Sequence, residues 1–493
     1  MFVYDRMMWG AARLAFAALV SAAACSSRAP ARPQLLVVLD TDAPVVGQLA
    51  DHSELSPDGA IDTVRVDVMD TKNVTTELRD FVVPEKAGWP ISFGVQTPDV
   101  RLAGRVRLRI RAFRGRLAHG GTLGDAGTLE SPPEVTIDRL VDLDAPTSGV
   151  RRILVRIAAD CLGMQPNFLE PATTCIDADH HAGSPRDGVA EIADDLLPPT
   201  RAGTWSGAQE VPCPTMAASD RVCIPGGFTI LGDLDFSGVA DTVSFDSVPL
   251  RPALLSPFHL DQTEFTVGRL RALVQKGAFA FTGTGAGPIR RTPSDPINQF
   301  CTWLGENDPA NDTLPVNCIL WDDAEAACRS EGGKLPSEAQ WEHAARGRGR
   351  RQLYPWGNQA AACCTTSGSR HGAPQSIVEC PGVGVEPVGS HRPSATCGGI
   401  GDVSRDGVLD LAGSVGEAML DNAANFSDPC WRKTAGIQRD PVCLDNGIIS
   451  RSQRGGSWTS GLAVGLAPLR RLYATLVPIP NEGFRCAYSA GSP

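Results

Sequence analysis

Two hydrophobic patterns divide the chain. From about Pro33 to Ala158, apolar residues recur at every second position. Val64, Val66 and Val68 alternate with Arg65 and Asp67; Ile91, Phe93 and Val95 follow the same rule; Val106, Leu108 and Ile110 alternate with Arg107, Arg109 and Arg111. A period of two places one set of side chains on a core and the other on the opposite face, which is the pattern of half-buried strands. Gly, Pro and Asp clusters punctuate the runs and no stretch has helical spacing, so residues 33–158 predict an all-β, immunoglobulin-like sandwich. The arginine row is open to two readings, a polyanion-binding stripe or a solvated outer face. Acidic residues are plentiful nearby, and a solvated face is the expectation.

Between 159 and 220 the alternation lapses into Pro, Asp, Thr and Gly with scattered cysteines, which predicts a disulfide-stapled linker rather than a third domain. Asp177, Asp179, His180 and His181 are metal-ligand types, but a polar loop gives them no fixed geometry and solvated side chains are expected. From 221 to 490 the pattern changes again. A strand-like Phe228-Thr229-Ile230-Leu231 leads to Thr266, which caps a helix carrying Val267, Leu270, Leu273 and Val274 and ending at Gly277. Asp322 with Glu325 predicts a second cap, before a helix with Ala324, Ala327 and Cys328 on one face and closed by Gly332-Gly333. Ser337-x-x-Gln340 is a capping box that opens a third helix, which runs through Trp341 to Arg346 and stops at Gly347. By periodicity alone that helix is a capped surface element. Few helices, short strands and long irregular segments make this half α+β.

Charge and cysteine content narrow the function. The chain has 493 residues and a net charge of −11, which argues against a nucleic-acid partner. An apolar run from Leu14 to Ala24 follows Arg6 and Arg13 and ends at Cys25, the pattern of a lipoprotein signal peptide (1–24) with Cys25 as the acylated residue and 25–32 as a tether. The expected partner of that end is a lipid bilayer, and Ser26, where some inner-membrane proteins carry aspartate, favours the outer membrane. There are 15 cysteines, and setting Cys25 aside leaves an even number suited to an oxidising compartment. Near neighbours make natural pairs: Cys161 with Cys175, Cys213 with Cys223, Cys301 with Cys318, Cys430 with Cys443. Adjacent Cys363 and Cys364 are expected to pair with Cys380 and Cys397. None of these pairs has the two-residue spacing of a zinc knuckle.

Seven ordered blocks carry a family resemblance. They are Ile224-Pro225-Gly226-Gly227-Phe228 with Leu231-Gly232; Phe258 to Thr266; Leu335 to Gly347; Tyr354-Pro355-Trp356-Gly357-Asn358; Asp410-Leu411-Ala412-Gly413; Arg454-Gly455-Gly456-Ser457-Trp458; and Gly483-Phe484-Arg485-Cys486. Together they make residues 221–490 resemble the formylglycine-generating enzymes, also called sulfatase-modifying factors. The resemblance implies a C-type-lectin-related α+β fold and a bridge from Cys328 to Cys486. Active members oxidise a cysteine of a sulfatase peptide with oxygen and a copper(I) ion held by two cysteines. Thiolates are soft ligands that select Cu(I).

The positions implied for those two cysteines are Ser460 and Gly465, counted from Trp458. A hydroxyl is a hard oxygen and glycine has no side chain, so copper is not expected. The family's calcium segment maps onto Asp410, the carbonyls of Gly413 and Val415, and Glu417, a mixture suited to calcium, although Gly416 and Ala418 replace the flanking tryptophans. The family's other calcium segment is replaced here by the cysteine-rich stretch from Cys363. Ser457 is expected to build the Gly-Gly turn, and His343 to pack rather than act as a base. No His-Glu-x-x-His, Gly-x-Ser-x-Gly or phosphate loop is present. These readings favour a cell-envelope binding or scaffold module with a protein or glycan ligand. The alternative is an oxidase, or a tailoring oxidoreductase like some relatives that lack the cysteine pair.

Overall fold

The computed structural model describes residues 33–45, 60–70, 72–96, 104–120, 129–193, 197–233, 244–245, 247–279, 281, 287–350, 352–370, 379–432, 435–445, 447–462, 467–473 and 478–491. Cys25 and Gly465 therefore lie outside the described residues. None of the described helices is long and apolar enough to cross a membrane.

The alternating runs form strands β1 (Gln34–Thr41), β2 (Thr63–Met69), β3 (Thr75–Val82), β4 (Ile91–Gln96) and β5 (Arg105–Phe113), the short pair β6 (His119–Gly120) and β7 (Leu129–Glu130), then β8 (Ile137–Asp144) and β9 (Val150–Ile157). With β10 (Val189–Glu191) they make two four-stranded sheets, ordered β10-β9-β1-β4 and β3-β2-β5-β8. β1 lies parallel to β9 and antiparallel to β4. Val37, Phe93 and Val155 from one sheet share a core with Val64, Leu108 and Val141 from the other.

Along β2, β5 and β8 the outer face of the second sheet is not solvated, although β3 at its edge is exposed. Arg65, Arg107 and Arg111 are buried along with Asp67, Asp138 and Asp142. Arg107 pairs with Asp142 (2.8 Å), Arg109 with Asp138 (2.5 Å), Arg111 with Asp67 (2.7 Å) and Glu130 (2.6 Å), and Arg65 with Asp80 (2.7 Å). Cross-strand register sets the pattern, since β2, β5 and β8 bring acids opposite the arginines. Residues of the expected linker cover it: Glu170 reaches Arg107 at 3.3 Å, Phe168 packs under Arg109, and Pro185 accepts from the Asp142 amide. The stripe is thus neutralised and offers no free cationic row to a polyanion. The same segment supplies β10 to the first sheet and is pinned by the Cys161–Cys175 bridge, while His180 stays exposed against Asp177.

The second half is built from β11 (Arg221–Ile224), β12 (Gly227–Leu231), β13 (Ser244–Phe245), β14 (Arg251–Leu255), β15 (Phe258–Asp261), β16 (Gly416–Asn422), β17 (Gln438–Arg439), β18 (Arg451–Arg454), β19 (Arg470–Tyr473), β20 (Glu482–Gly483) and β21 (Ala487–Ser489), with helices α1 (Val267–Gln275), α2 (Trp321–Ser330) and α3 (Glu338–Ala345). Three small sheets result, ordered β11-β15-β21, β12-β14-β17 and β13-β19-β18-β16-β20. Thr266 caps α1 by accepting from the Arg269 amide. Asp322 does not cap α2: the N-cap is Leu320, and Asp322 sits in the first turn. Burial of Trp321, whose indole donates to the Met419 carbonyl at 2.8 Å, starts this helix earlier than local chemistry predicts. Ser337 and Gln340 complete the capping box of α3, as expected.

That helix is central rather than superficial. Glu338, Trp341, Glu342 and His343 are all buried. Glu338 pairs with Arg454 (2.8 Å) and Arg470 (2.7 Å); Glu342 pairs with Arg454 (2.9 Å) and Arg346 (3.1 Å); Arg346 reaches Asp233 (2.7 Å). Burial by itself pushes the Glu338 carboxyl up, but Arg470 and Arg454 outweigh it and hold the group at about 2.

The two halves share one apolar core. Phe228, Ile230 and Leu250 from the second half join the core of the paired sheets, and Trp205 meets Phe228 edge-on with centroids 5.6 Å apart. The Trp205 indole also donates to Asp160 at 3.0 Å. Trp205→Ala should therefore cost about 3 kcal/mol of stability, read as a lower midpoint in urea unfolding followed by tryptophan fluorescence and far-UV dichroism. A loss below about 1 kcal/mol would mean that the seam contributes little to stability.

Candidate functional site

The turn after β18 is shaped by close approach. Gly455 has φ +92°, and a Cβ there would meet the Leu411 carbonyl at 2.9 Å and the Trp341 ring at 3.3 Å. The turn delivers Ser457, Trp458, Thr459 and Ser460 to one place. Ser457 Oγ lies 2.9 Å from Thr459 Oγ1 and 3.1 Å from Ser460 Oγ; Ser460 Oγ also accepts from the Ser457 amide (3.1 Å) and from Arg471 (3.3 Å). The Ser460 carbonyl accepts from the Ser369 amide, and the Trp458 carbonyl from that of Arg370. Trp458 packs against Phe300 and donates its indole N–H to Pro480. Ser457 is thus part of a closed hydroxyl cluster that knits its own turn.

Among the described residues no free thiol stands near this cluster. All cysteines beyond Cys25 are joined in disulfides: Cys161–Cys175, Cys213–Cys223, Cys301–Cys318, Cys328–Cys486, Cys363–Cys380, Cys364–Cys397 and Cys430–Cys443. The hydroxyl of Ser460, already hydrogen-bonded, is a poor ligand for a soft ion, so the described residues here do not fit copper(I). Beside the cluster, Glu386 is gripped by Arg370 (2.7 Å) and His391 (2.7 Å). Burial alone pushes Glu386 up, yet His391, Ser367 and Arg370 hold it at about 2.

The second group of residues surrounds Arg485. Its guanidinium binds both oxygens of Glu417 at 2.7 Å and donates to the carbonyls of Asp410 and Leu409. Trp341 donates to the same carboxylate at 2.9 Å, which ties the site to α3. Asp410 Oδ2 accepts from the Gly389 amide at 2.5 Å. Gly413 has φ +100°, and a Cβ there would strike the Ser367 carbonyl at 2.6 Å, so this loop requires glycine. Two further acids, not singled out by the sequence, complete the group. Glu264 accepts from Ser414 Oγ and the Val415 amide, each at 3.0 Å. Asp402 accepts from the Ala412 amide through Oδ2 (2.8 Å), while its buried Oδ1 has no hydrogen-bond partner among the described residues.

Four buried carboxylates thus face one guanidinium. Burial raises Glu264 well above the carboxylate range, with Asp410 and Glu417 adding to it; burial and then Asp410 do the same to Asp402; burial also raises Asp410. The charge excess and the orphan Asp402 oxygen fit a hard cation. Glu417 fits only as a nearby charge, because both of its oxygens are committed to Arg485. Among the described residues no three His, Cys, Asp or Glu side chains form a ready cage, so backbone carbonyls would have to supply part of any shell. His343, by contrast, is neutral packing: its Nε2 bonds the Pro225 carbonyl at 3.1 Å, and burial pulls the ring down to about 4.

The comparison with known families decides the identity of the second half. Residues 208–490, more than half of the chain, match the sulfatase-modifying factor enzyme 1-like domain. The chain belongs to the sulfatase-modifying factor family. Among its curated relatives, the mouse protein named inactive C-alpha-formylglycine-generating enzyme 2 is 32% identical over 186 residues, covering 36% of this chain and 51% of that one. The cattle protein of the same name is 26% identical over 275 residues, covering 50% and 81%, and the formylglycine-generating enzyme of Streptomyces coelicolor is 28% identical over 163 residues, covering 28% and 51%. The chain thus spans about half the length of the mouse relative. Similar solved structures include PvdO from Pseudomonas aeruginosa (17% identity, TM-score 0.41, covering 55% of this chain and 96% of that one) and Treponema denticola variable protein 1 (17%, 0.36, 55% and 94%).

The raised Asp402 carboxyl gives a signed pH dependence. Its folded value lies above its unfolded one, so its contribution to stability is complete below about 3.8 and is lost as pH rises through the folded value. With a chelator present, wild type should lose stability from pH 5 to pH 8 relative to Asp402→Asn, measured as urea midpoints at both values. Parallel pH profiles would show that Asp402 ionises normally.

Proposed function

We propose that this sulfatase-modifying factor domain serves a non-oxidase binding or scaffold module of the cell envelope, anchored through an acylated Cys25 in the periplasm or at the cell surface. The observation that carries the reading is the disulfide inventory. With every cysteine beyond Cys25 paired and Ser460 presenting a bonded hydroxyl, no thiolate remains to hold copper(I) beside a substrate thiol. The name of the mouse and cattle relatives, which are called inactive, agrees with this reading. The N-terminal sheets, read as an immunoglobulin-like sandwich, act as a spacer fused to the family domain, and the irregular loops of that domain offer the surface for a glycan or protein ligand.

Calcium belongs to the same proposal. Asp410 and the carbonyls of Gly413 and Val415 are the ligands we assign, with Glu417, Glu264 and Asp402 supplying negative charge around them. Bound calcium would relieve the repulsion among those carboxylates and fix the loop that carries Gly413, which is a structural rather than a chemical duty.

Elemental mass spectrometry after copper(I) loading and desalting tests the copper part. Wild type should retain well under one copper per chain and leave a cysteine-containing sulfatase peptide unoxidised, whereas Ser460→Cys with Gly465→Cys should gain copper. Near-stoichiometric copper in wild type would overturn the reading. For calcium, millimolar ion should raise the wild-type Tm by several degrees at pH 7.5, and Asp410→Ala should abolish that shift. An equal rise in both would remove Asp410 from the site.

A further inference from the structure

The paired sheets have two different ends. β1 starts at Gln34, whose amide donates to the Gly149 carbonyl (3.0 Å) in the turn between β8 and β9, and the Ala145 amide of that turn donates to the Gly104 carbonyl (2.7 Å) just before β5. β1 ends at Thr41. There the Asp42 and Ala43 carbonyls accept from the Trp205 and Gly203 amides, each at 2.9 Å, and Trp205 packs on Phe228 of the family domain. This end meets that domain a second time: a Cβ on Gly163, beyond the end of β9, would strike the Glu134 carbonyl at 2.7 Å and Gly436 Cα at 3.3 Å. The family domain thus sits on one end of the sheets, and the start of β1 lies at the other. The eight residues of β1 separate the two ends by about 26 Å.

The end that carries Gln34 has a surface suited to lipid headgroups. From Ala145 to Val150 the chain reads Ala-Pro-Thr-Ser-Gly-Val without a charge, and Thr147, Ser148, Gly149 and Val150 are exposed. Arg105, Arg151 and Arg186 flank the turn, and each meets an acid: Asp142, Glu191 and, at 3.1 Å, Asp144. A polar, uncharged turn between compensated arginines can lie against headgroups without depending on their charge.

We propose that this turn is the face the protein presents to the bilayer, with the family domain held at the opposite end and turned toward the aqueous phase. The inference rests on the acylation of Cys25 proposed above. Residues 25–32 join the acylated cysteine to Pro33, and eight residues reach at most about 28 Å. To lay the other end on lipid, the whole tether would have to run back fully extended beside β1; any slack leaves the turn nearest the membrane. The family domain therefore meets its ligand from the aqueous side and not from the bilayer that holds its anchor.

Photocrosslinking of the full acylated chain in vesicles tests this. A p-benzoylphenylalanine is placed at Ser148 in the turn, at Val82 on the flank of β3 or at Ile449 in the family domain, all exposed positions. Its ring reacts only with groups it touches, so Ser148 should give at least about tenfold more lipid adduct than either other position. The Ser148 yield should agree within about twofold between phosphatidylcholine and phosphatidylglycerol-rich vesicles. Val82 matching Ser148 would show the protein lying on its side, and Ile449 matching it would put the family domain on lipid; either result overturns the orientation. A Ser148 yield that depends on anionic lipid would overturn the uncharged seat. Flotation separates this inference from the anchor: wild type should float with the vesicles and Cys25→Ser should not. Failure of wild type to float removes the anchor and the orientation together, whereas flotation with equal adducts at all three positions removes only the orientation.

Discussion

The buried ion lattice around α3 is the constraint on which the family domain depends. Glu338 and Glu342 project from one short helix onto Arg454 and Arg470, and Arg346 closes the lattice onto Asp233. Such charges tolerate no water-filled slack, since an unpaired buried charge costs several kcal/mol. The lattice therefore fixes the relative positions of α3, β18 and β19. Trp341 extends it by reaching Glu417, and Glu417 holds Arg485, so helix, central sheet and acidic loop form one connected network.

Disulfides do for the loops what the lattice does for the core. Long irregular segments bury little apolar surface per residue and need cross-links. Cys363–Cys380 and Cys364–Cys397, with the Glu386 grip on Arg370 and His391, hold the loops that flank the Ser457 turn. The same bridges consume the thiols that copper chemistry would require. Mechanical stability of these loops and soft-metal chemistry draw on one residue type, and here the structural use engages every cysteine beyond Cys25.

The N-terminal half shows how a segment with no periodic pattern can complete a fold. Residues after Cys161 have few apolar positions, yet they cover an ionic ladder, extend a sheet through β10 and bring Trp205 to the seam. Burial of the ladder is affordable only because each arginine on β5 finds an acid across the strand. Arg139 stands outside that scheme, its two terminal nitrogens bound to backbone carbonyls.

Local chemistry alone determined much of this protein. The period of two placed the N-terminal strands, Ser337 and Gln340 set the start of α3, and Thr266 capped α1, because these depend on neighbours within a few residues. That Ser460 and Gly465 stand where the family resemblance would place a pair of cysteines is likewise a matter of residue type at a counted position. Only tertiary structure decided the rest. The arginine row is neutralised because β2 and β8 supply acids in register, and α3 is central because Arg454 and Arg470, more than a hundred residues away, come to its carboxylates. Asp402 and Glu264 gave no signal as members of the acidic group, since their roles arise from burial together, and Asp322 lost its cap because Trp321 found a distant carbonyl first. Spacing along the chain encodes contacts between neighbours; the burial of charge is set by which distant segments meet.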